Sequence, residues 1–276
     1  MFSSGKPLSI SLYIVGVIVI FLTVYVQYFV HLGTITGYLV VYGVPVAVVS
    51  AIFGKQIFSR AGKNNKTAFQ LGSGLFSTFY LLGVFLSVAA LMIILQFNPS
   101  AQQLLEKTNP ALNVSPAVAW IMMAVSMLVI GPAEEYIYRG FMYGGLLSIS
   151  KGRHWLPLAI VSSIMFASAH AYYALTYGVA SPVFFIQLIT FGVAMAITYQ
   201  WSGGNLLAVA VVHGLNDAIG FLGVATTRQI GLAAQGIFIA VGLVFAISYV
   251  LLKKVRINPN QTLNTPAETE PLPPPP

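Results

Sequence analysis

The sequence predicts an all-α, polytopic integral membrane protein, a helical bundle of about eight transmembrane helices. Three observations carry that expectation. Of the 276 residues, 57% are hydrophobic and only 7% charged, with a mean hydropathy of +0.84. A soluble domain carries about a quarter charged residues. The apolar residues fall in runs of about 20, the length that crosses a hydrocarbon core. Most basic residues stand at the ends of those runs, as topology demands.

Taken in order, the spans are expected near 8–30, 35–53, 71–96, 117–147, 157–176, 182–201, 205–223 and 232–252. The first run is too long for a signal-peptide core and reads as a membrane helix. Residues 54–70 are expected to form a basic cytoplasmic loop, which could include a surface helix resting on anionic lipid. The stretch 98–116 is polar and punctuated by Pro99, Pro110 and Pro116. In the fourth span, Gly131-Pro132 is expected to break or kink the helix just before Glu134. Gly203-Gly204 in WSGGN predicts a tight turn before the seventh span. The Pro-rich tail from Asn258 is expected to be disordered.

Charge fixes an expected orientation. With both termini cytoplasmic, Lys6, Lys55, Arg60, Lys63, Lys66, Lys151, Arg153, Lys253, Lys254 and Arg256 lie inside. Lys107 and Arg228 lie outside, and Arg139 falls within the membrane. The positive-inside rule favours this layout, in the plasma membrane of a prokaryote. The net charge of +7 therefore reports topology, and no nucleic-acid partner is expected. The chain has no cysteine, which excludes disulfides, Cys-ligated zinc and thiol catalysis.

Against this apolar background, a few polar residues stand out. Glu134, Glu135 and Arg139 lie in GPAEEYIYRGF, His170 in MFASAHAYY, and His213 and Asp217 in VVHGLNDAI. A lone charge near the bilayer centre costs roughly 2.5–3.5 kcal/mol, so the four charged members would cost on the order of 10 kcal/mol if each faced lipid. They are expected to share one buried polar site. Pro132 suits the first turn of a helix, which would put Glu134 and Glu135 near its amide-rich end. Glu135 and Arg139, four apart, share a face and predict an ion pair. Glu134 points about 100° away and is the carboxylate left for general-base work. A buried salt-bridge cluster joining two helices is the alternative.

Phe166 and His170 share a face, as do His213 and Asp217, with Asn216 beside them. Asp217 could orient the imidazole, or the pair could serve a developing oxyanion. An interhelical polar clamp is the structural alternative. Two imidazoles and these carboxylates could also hold a divalent metal such as zinc, with Glu134, His170 and His213 as donors. HExxH is absent, however, so three helices would have to converge. The favoured reading requires no cofactor.

Together, EEYIYRG, FASAH and HGLND resemble the signature motifs of the CPBP family, the CAAX-protease and bacteriocin-processing intramembrane proteases, also called the Abi or type II CAAX prenyl endopeptidase family. The family pattern is Glu-Glu-x-x-x-Arg, then Phe-x-x-x-His, then His-x-x-x-Asn/Asp. It falls here on Glu134, Glu135 and Arg139, on Phe166 and His170, and on His213 and Asp217. The resemblance covers roughly residues 117–220. It divides the chain into helices 1–3 with their loop (1–116), a catalytic core (117–223), a last helix with its basic flank (224–257) and the tail (258–276).

The resemblance implies an eight-helix endopeptidase that cleaves membrane-tethered peptides, prenylated CAAX-type proteins among them, with the lipid bilayer as its other partner. By position, Glu134 would activate water together with His170, His213 and Asp217 would stabilise the oxyanion, and Glu135 with Arg139 would hold the architecture. Asp217 fills a slot often occupied by Asn, and an ionised carboxylate cannot donate. Either it is protonated, or it orients His213, or Asn216 donates instead. Two other classes compete: a proton-coupled transporter built on a Glu/His relay, and a non-proteolytic scaffold or immunity protein of the same family.

Overall fold

The computed structural model describes residues 8–30, 34–58, 65–105 and 112–253, and these form an all-α bundle. Among the described residues, seven helices are long and apolar enough to cross a membrane, or eight if one bent pair is counted as a span. They are α1 (Ile10–Val30), α2 (Thr36–Gly54), α3 (Asn65–Phe97), α4 (Pro116–Ile149), α7 (Pro182–Trp201), α8 (Leu206–Ala225) and α9 (Arg228–Tyr249). The bent pair is α5 (Trp155–Ser168) and α6 (Tyr172–Ala180).

Large apolar side chains point outward along the helices, including Phe85, Met92 and Phe97 on α3 and Leu232 and Ile237 on α9. Water would penalise such a surface, and lipid does not, so this is an integral membrane protein. Inside, α7 packs between α3 and α5, while α8 lies against α4 and α9. Phe76, Tyr143, Leu147, Tyr199 and Val212 interlock in one core; Ile20, Phe53, Ile137, Phe141 and Phe166 build another, beside the polar site.

The caps and turns follow local chemistry. Ser115 accepts from the Val118 N–H ahead of Pro116, and Asn205 accepts from the Ala208 N–H at 2.9 Å. Asn205 also donates to Asn65 Oδ1 at 2.8 Å, pinning the start of α8 to that of α3. The expected turn before α8 forms with Gly203 and Gly204 at φ 72° and 90°.

Three sequence expectations need correction. First, α4 does not break at Gly131-Pro132. It runs on through two wide π-helical segments, Ser126–Ile130 and Tyr136–Tyr143. The Gly131 N–H bonds back to the Ser126 carbonyl, and the widened turn absorbs the ring and missing N–H of Pro132. Glu134 and Glu135 therefore sit mid-helix, at no free amide end. Second, the span expected at 157–176 is broken, with α5 and α6 meeting at 56°. The link is made of turns, such as His170 N to Ala167 O, and stacked rings of Tyr173, Tyr177 and Phe184 hold α6. Third, helix fills much of the expected loop at 54–70: one helix ends at Phe58 and α3 starts at Asn65. Arg60 and Lys63 of that loop, and the tail 258–276, lie outside the described residues.

Candidate active site

Close backbone approach sets the site. A Cβ on Gly131 would stand 2.8 Å from the Gly214 nitrogen, and one on Gly214 would stand 2.9 Å from the Met127 Cα. Only paired glycines let α4 and α8 come this near. His213, the neighbour of Gly214, is thereby set against both carboxylates of α4. Counting residues at 1.5 Å each, Glu134 lies roughly 27 Å from Pro116 and roughly 22 Å from Ile149, deep within the bundle.

His213 is the hub. Its Nδ1 stands 2.6 Å from Glu135 Oε1, while its Nε2 faces Glu134 Oε2 at 3.6 Å and Asp217 Oδ2 at 3.5 Å. Phe191 of α7 and Phe166 of α5 meet its ring edge-on, with centroids at 4.7 and 6.1 Å. The imidazole is thus clamped between three carboxylates and two aromatic rings.

Glu135 and Arg139 form the ion pair their spacing predicts, at 2.7 Å, with Glu135 fully buried and Arg139 2% exposed. Arg139 also donates to the Gly192 carbonyl at 3.3 Å, and its guanidinium lies 4.7 Å from the Phe166 ring and 5.6 Å from the Phe191 ring. Glu135 Oε1 therefore contacts both Arg139 Nη1 and His213 Nδ1. Its Oε2 is buried and has no hydrogen-bond partner among the described residues.

Glu134 is differently placed, and it is not free. Tyr42 of α2 donates to its Oε1 at 2.9 Å, leaving Oε2 on the His213 side. Tyr28, Tyr138 and Tyr172 lie within electrostatic reach of the same carboxylate.

Asn216 donates to Asp217 Oδ1 at 3.2 Å. Asp217 then acts as an acceptor, with its other oxygen towards His213 Nε2. Of the three sequence readings for Asp217, this geometry is compatible with orientation of the imidazole; Asn216 gives one of its two N–H donors to Asp217.

His170 stands in the turn between α5 and α6, half-buried, its ring tilted 58° against that of Phe166 with centroids 4.7 Å apart. Its Nδ1 lies 2.9 Å from the Phe166 carbonyl. A carbonyl only accepts, so Nδ1 carries a proton, and Nε2 is the ring nitrogen left to contact water or substrate. His170 lies within electrostatic reach of Asp217. Among the described residues no hydrogen bond or ion pair joins it to Glu134.

Among the described residues no group of three or more His, Asp or Glu side chains has the geometry to hold a metal ion. Glu134, His170 and His213 do not converge as a ready cation site, and the chemistry below routes no step through a metal.

Two contributors escaped the motif reading: Tyr42 of α2, and the Phe191-Gly192 pair of α7 that supports Arg139. Neither sits in a polar pattern in the sequence. Residues 116–219 match the family model described as Type II CAAX prenyl endopeptidase Rce1-like. No curated protein and no solved structure matches the chain. This domain match supports membership of the CPBP family of CAAX-type intramembrane proteases.

Proposed function

We propose that the Rce1-like domain of this chain is an active endopeptidase that hydrolyses a peptide bond in a membrane-tethered substrate, prenylated CAAX-type chains being the first class to test. One observation carries the reading. Glu134 Oε2 of one helix and Asp217 Oδ2 of another stand 3.6 and 3.5 Å from His213 Nε2, each of the three side chains backed by a further bonded group. Pre-set polar groups in a dry site are what stabilise charge developing during acyl transfer.

The roles follow from the atoms. Glu134 Oε2 takes a proton from water, and the water oxygen bonds to the scissile carbonyl carbon. His170 Nε2 accepts from the same water and aims it. The carbonyl electron pair moves onto oxygen, where His213 Nε2–H donates to it. That donation requires both ring nitrogens of His213 to carry protons, the arrangement that also satisfies Glu135 on Nδ1. Asp217 keeps the ring in place. When the tetrahedral species collapses, the C–N bond breaks and the departing nitrogen takes the proton from Glu134.

The basic flanks favour a cytoplasmic location for both termini, and on that layout water and the substrate's polar chain enter from the cytoplasmic side. The test uses purified protein in liposomes with a fluorogenic farnesylated peptide ending in a CAAX sequence. Parent protein cleaves it, and Glu134→Ala protein does not while keeping its folded yield. Cleavage by Glu134→Ala at the parent rate would show that another group is the base.

A further inference from the structure

The matched domain begins at residue 116, yet the only hydrogen bond on the Glu134 carboxylate among the described residues comes from Tyr42, far upstream on α2. Tyr42 is itself held in place. Its ring stacks on Tyr38 with centroids 5.8 Å apart and planes within 16°, a contact made by the Tyr38 ring and not by its hydroxyl.

The backbone beneath Tyr42 is unusual in the same way as α4. Residues Leu39–Gly43 form a wide π segment, closed by the Val44 N–H on the Leu39 carbonyl, one residue before Pro45. In α4 the segment Ser126–Ile130 is closed by the Gly131 N–H on Ser126, one residue before Pro132. Two prolines thus install matching wide turns in two helices. The side chain from one turn bonds to the carboxylate just past the other.

We infer that Tyr42 is a positioning residue for Glu134: it holds Oε1 so that Oε2 alone faces His213 and the attacking water. A carboxylate with two equivalent oxygens and a free torsion would spend much of its time misdirected. A phenol on one oxygen removes that freedom and supplies a hydrogen bond to the charged form. The active unit of this chain is then larger than its matched domain, because α2 completes it. This inference rests on Glu134 being the base.

The experiment runs two arms on full-length protein in liposomes. In the kinetic arm, Tyr42→Phe keeps the ring and its stack, and loses only the hydroxyl. A hydrogen bond to a charged group is worth about 1.5–3 kcal/mol, so kcat falls roughly ten- to hundred-fold on the farnesylated CAAX peptide, with KM within two-fold of the parent. Tyr38→Phe keeps the parent kcat. Loss through KM alone, a kcat within two-fold of the parent, or equal losses in both variants overturns the inference.

In the infrared arm, protein labelled with 13C-carboxyl glutamate is compared with its Glu134→Gln variant to isolate the Glu134 band. That band shifts in Tyr42→Phe and stays put in Tyr38→Phe; an unmoved band in Tyr42→Phe overturns the inference whether or not the peptide is cleaved. Parent-rate cleavage by Glu134→Ala with a shifting band would sink the base assignment and leave Tyr42 as the holder of that carboxylate.

Discussion

Replacing Arg139 by Met leaves Glu135 fully buried with half its neutralising partners gone. Met matches the stem of Arg in length, so packing against Phe166 and Phe191 is largely kept and the charge is what changes. Breaking a buried pair by deleting one member costs about 3–5 kcal/mol, because the other charge stays behind in low dielectric. Here His213 still bonds Glu135 Oε1 at 2.6 Å, which argues for the lower end, near 3 kcal/mol.

The double variant Glu135→Gln/Arg139→Met removes both charges. Gln can still accept from His213 Nδ1, and the chief remaining loss is the donor to the Gly192 carbonyl, about 1 kcal/mol. The double variant is therefore expected to be more stable than Arg139→Met alone, with a coupling of about 2 kcal/mol. Steric-trap unfolding in bicelles measures all three proteins on one scale. Additive effects, or an Arg139→Met protein as stable as the parent, would refute the claim that this ion pair is a mutually dependent buried unit.

Further outcomes can be checked in parallel. Asp217→Asn keeps an acceptor oxygen for His213, so its kcat stays within about ten-fold of the parent, whereas Asp217→Leu loses on the order of a hundred-fold; equal losses would remove the orienting role. Gly131→Ala and Gly214→Ala each force α4 and α8 apart, costing about 1–3 kcal/mol in unfolding assays and lowering cleavage with it, and a variant with unchanged stability would contradict the close approach. Phe191→Ala removes a ring from both His213 and Arg139 and is expected to lower the melting temperature measurably, with the His213 side-chain NMR signals broadened; an unchanged melting curve would deny it that role.

Much of the fold was legible because lipid imposes a simple rule: apolar runs of sufficient length become helices. The polar site was legible for the converse reason, since Glu134, Glu135, Arg139, His213 and Asp217 are costly in such runs unless they meet. The i,i+4 geometry of Glu135 and Arg139 could be read from spacing alone. Tyr42 could not. It lies in the apolar stretch VVYGVP, where a tyrosine carries no spacing signal and its partner is 92 positions away.

The behaviour of α4 at Gly131-Pro132 also went unread, because a wide turn and a break begin from the same residues and only the surrounding helices decide between them. The bend after Ser168 had no marker at all. SAHAYY contains neither glycine nor proline, and the stacking of Tyr173 and Tyr177 on Phe184 that secures α6 is tertiary.

The two swollen turns of α4 set its phase. Each lodges extra backbone in one turn, so the helix beyond faces as an ordinarily wound chain one residue shorter would. Tightening 126–130 to ordinary winding without removing a residue would swing everything beyond by about 100°. Hydropathy, length and insertion would all survive such a change, yet Glu134 would look away from Tyr42 and Glu135 away from His213. Loss of one residue together with that wide turn would instead leave the polar face where it is.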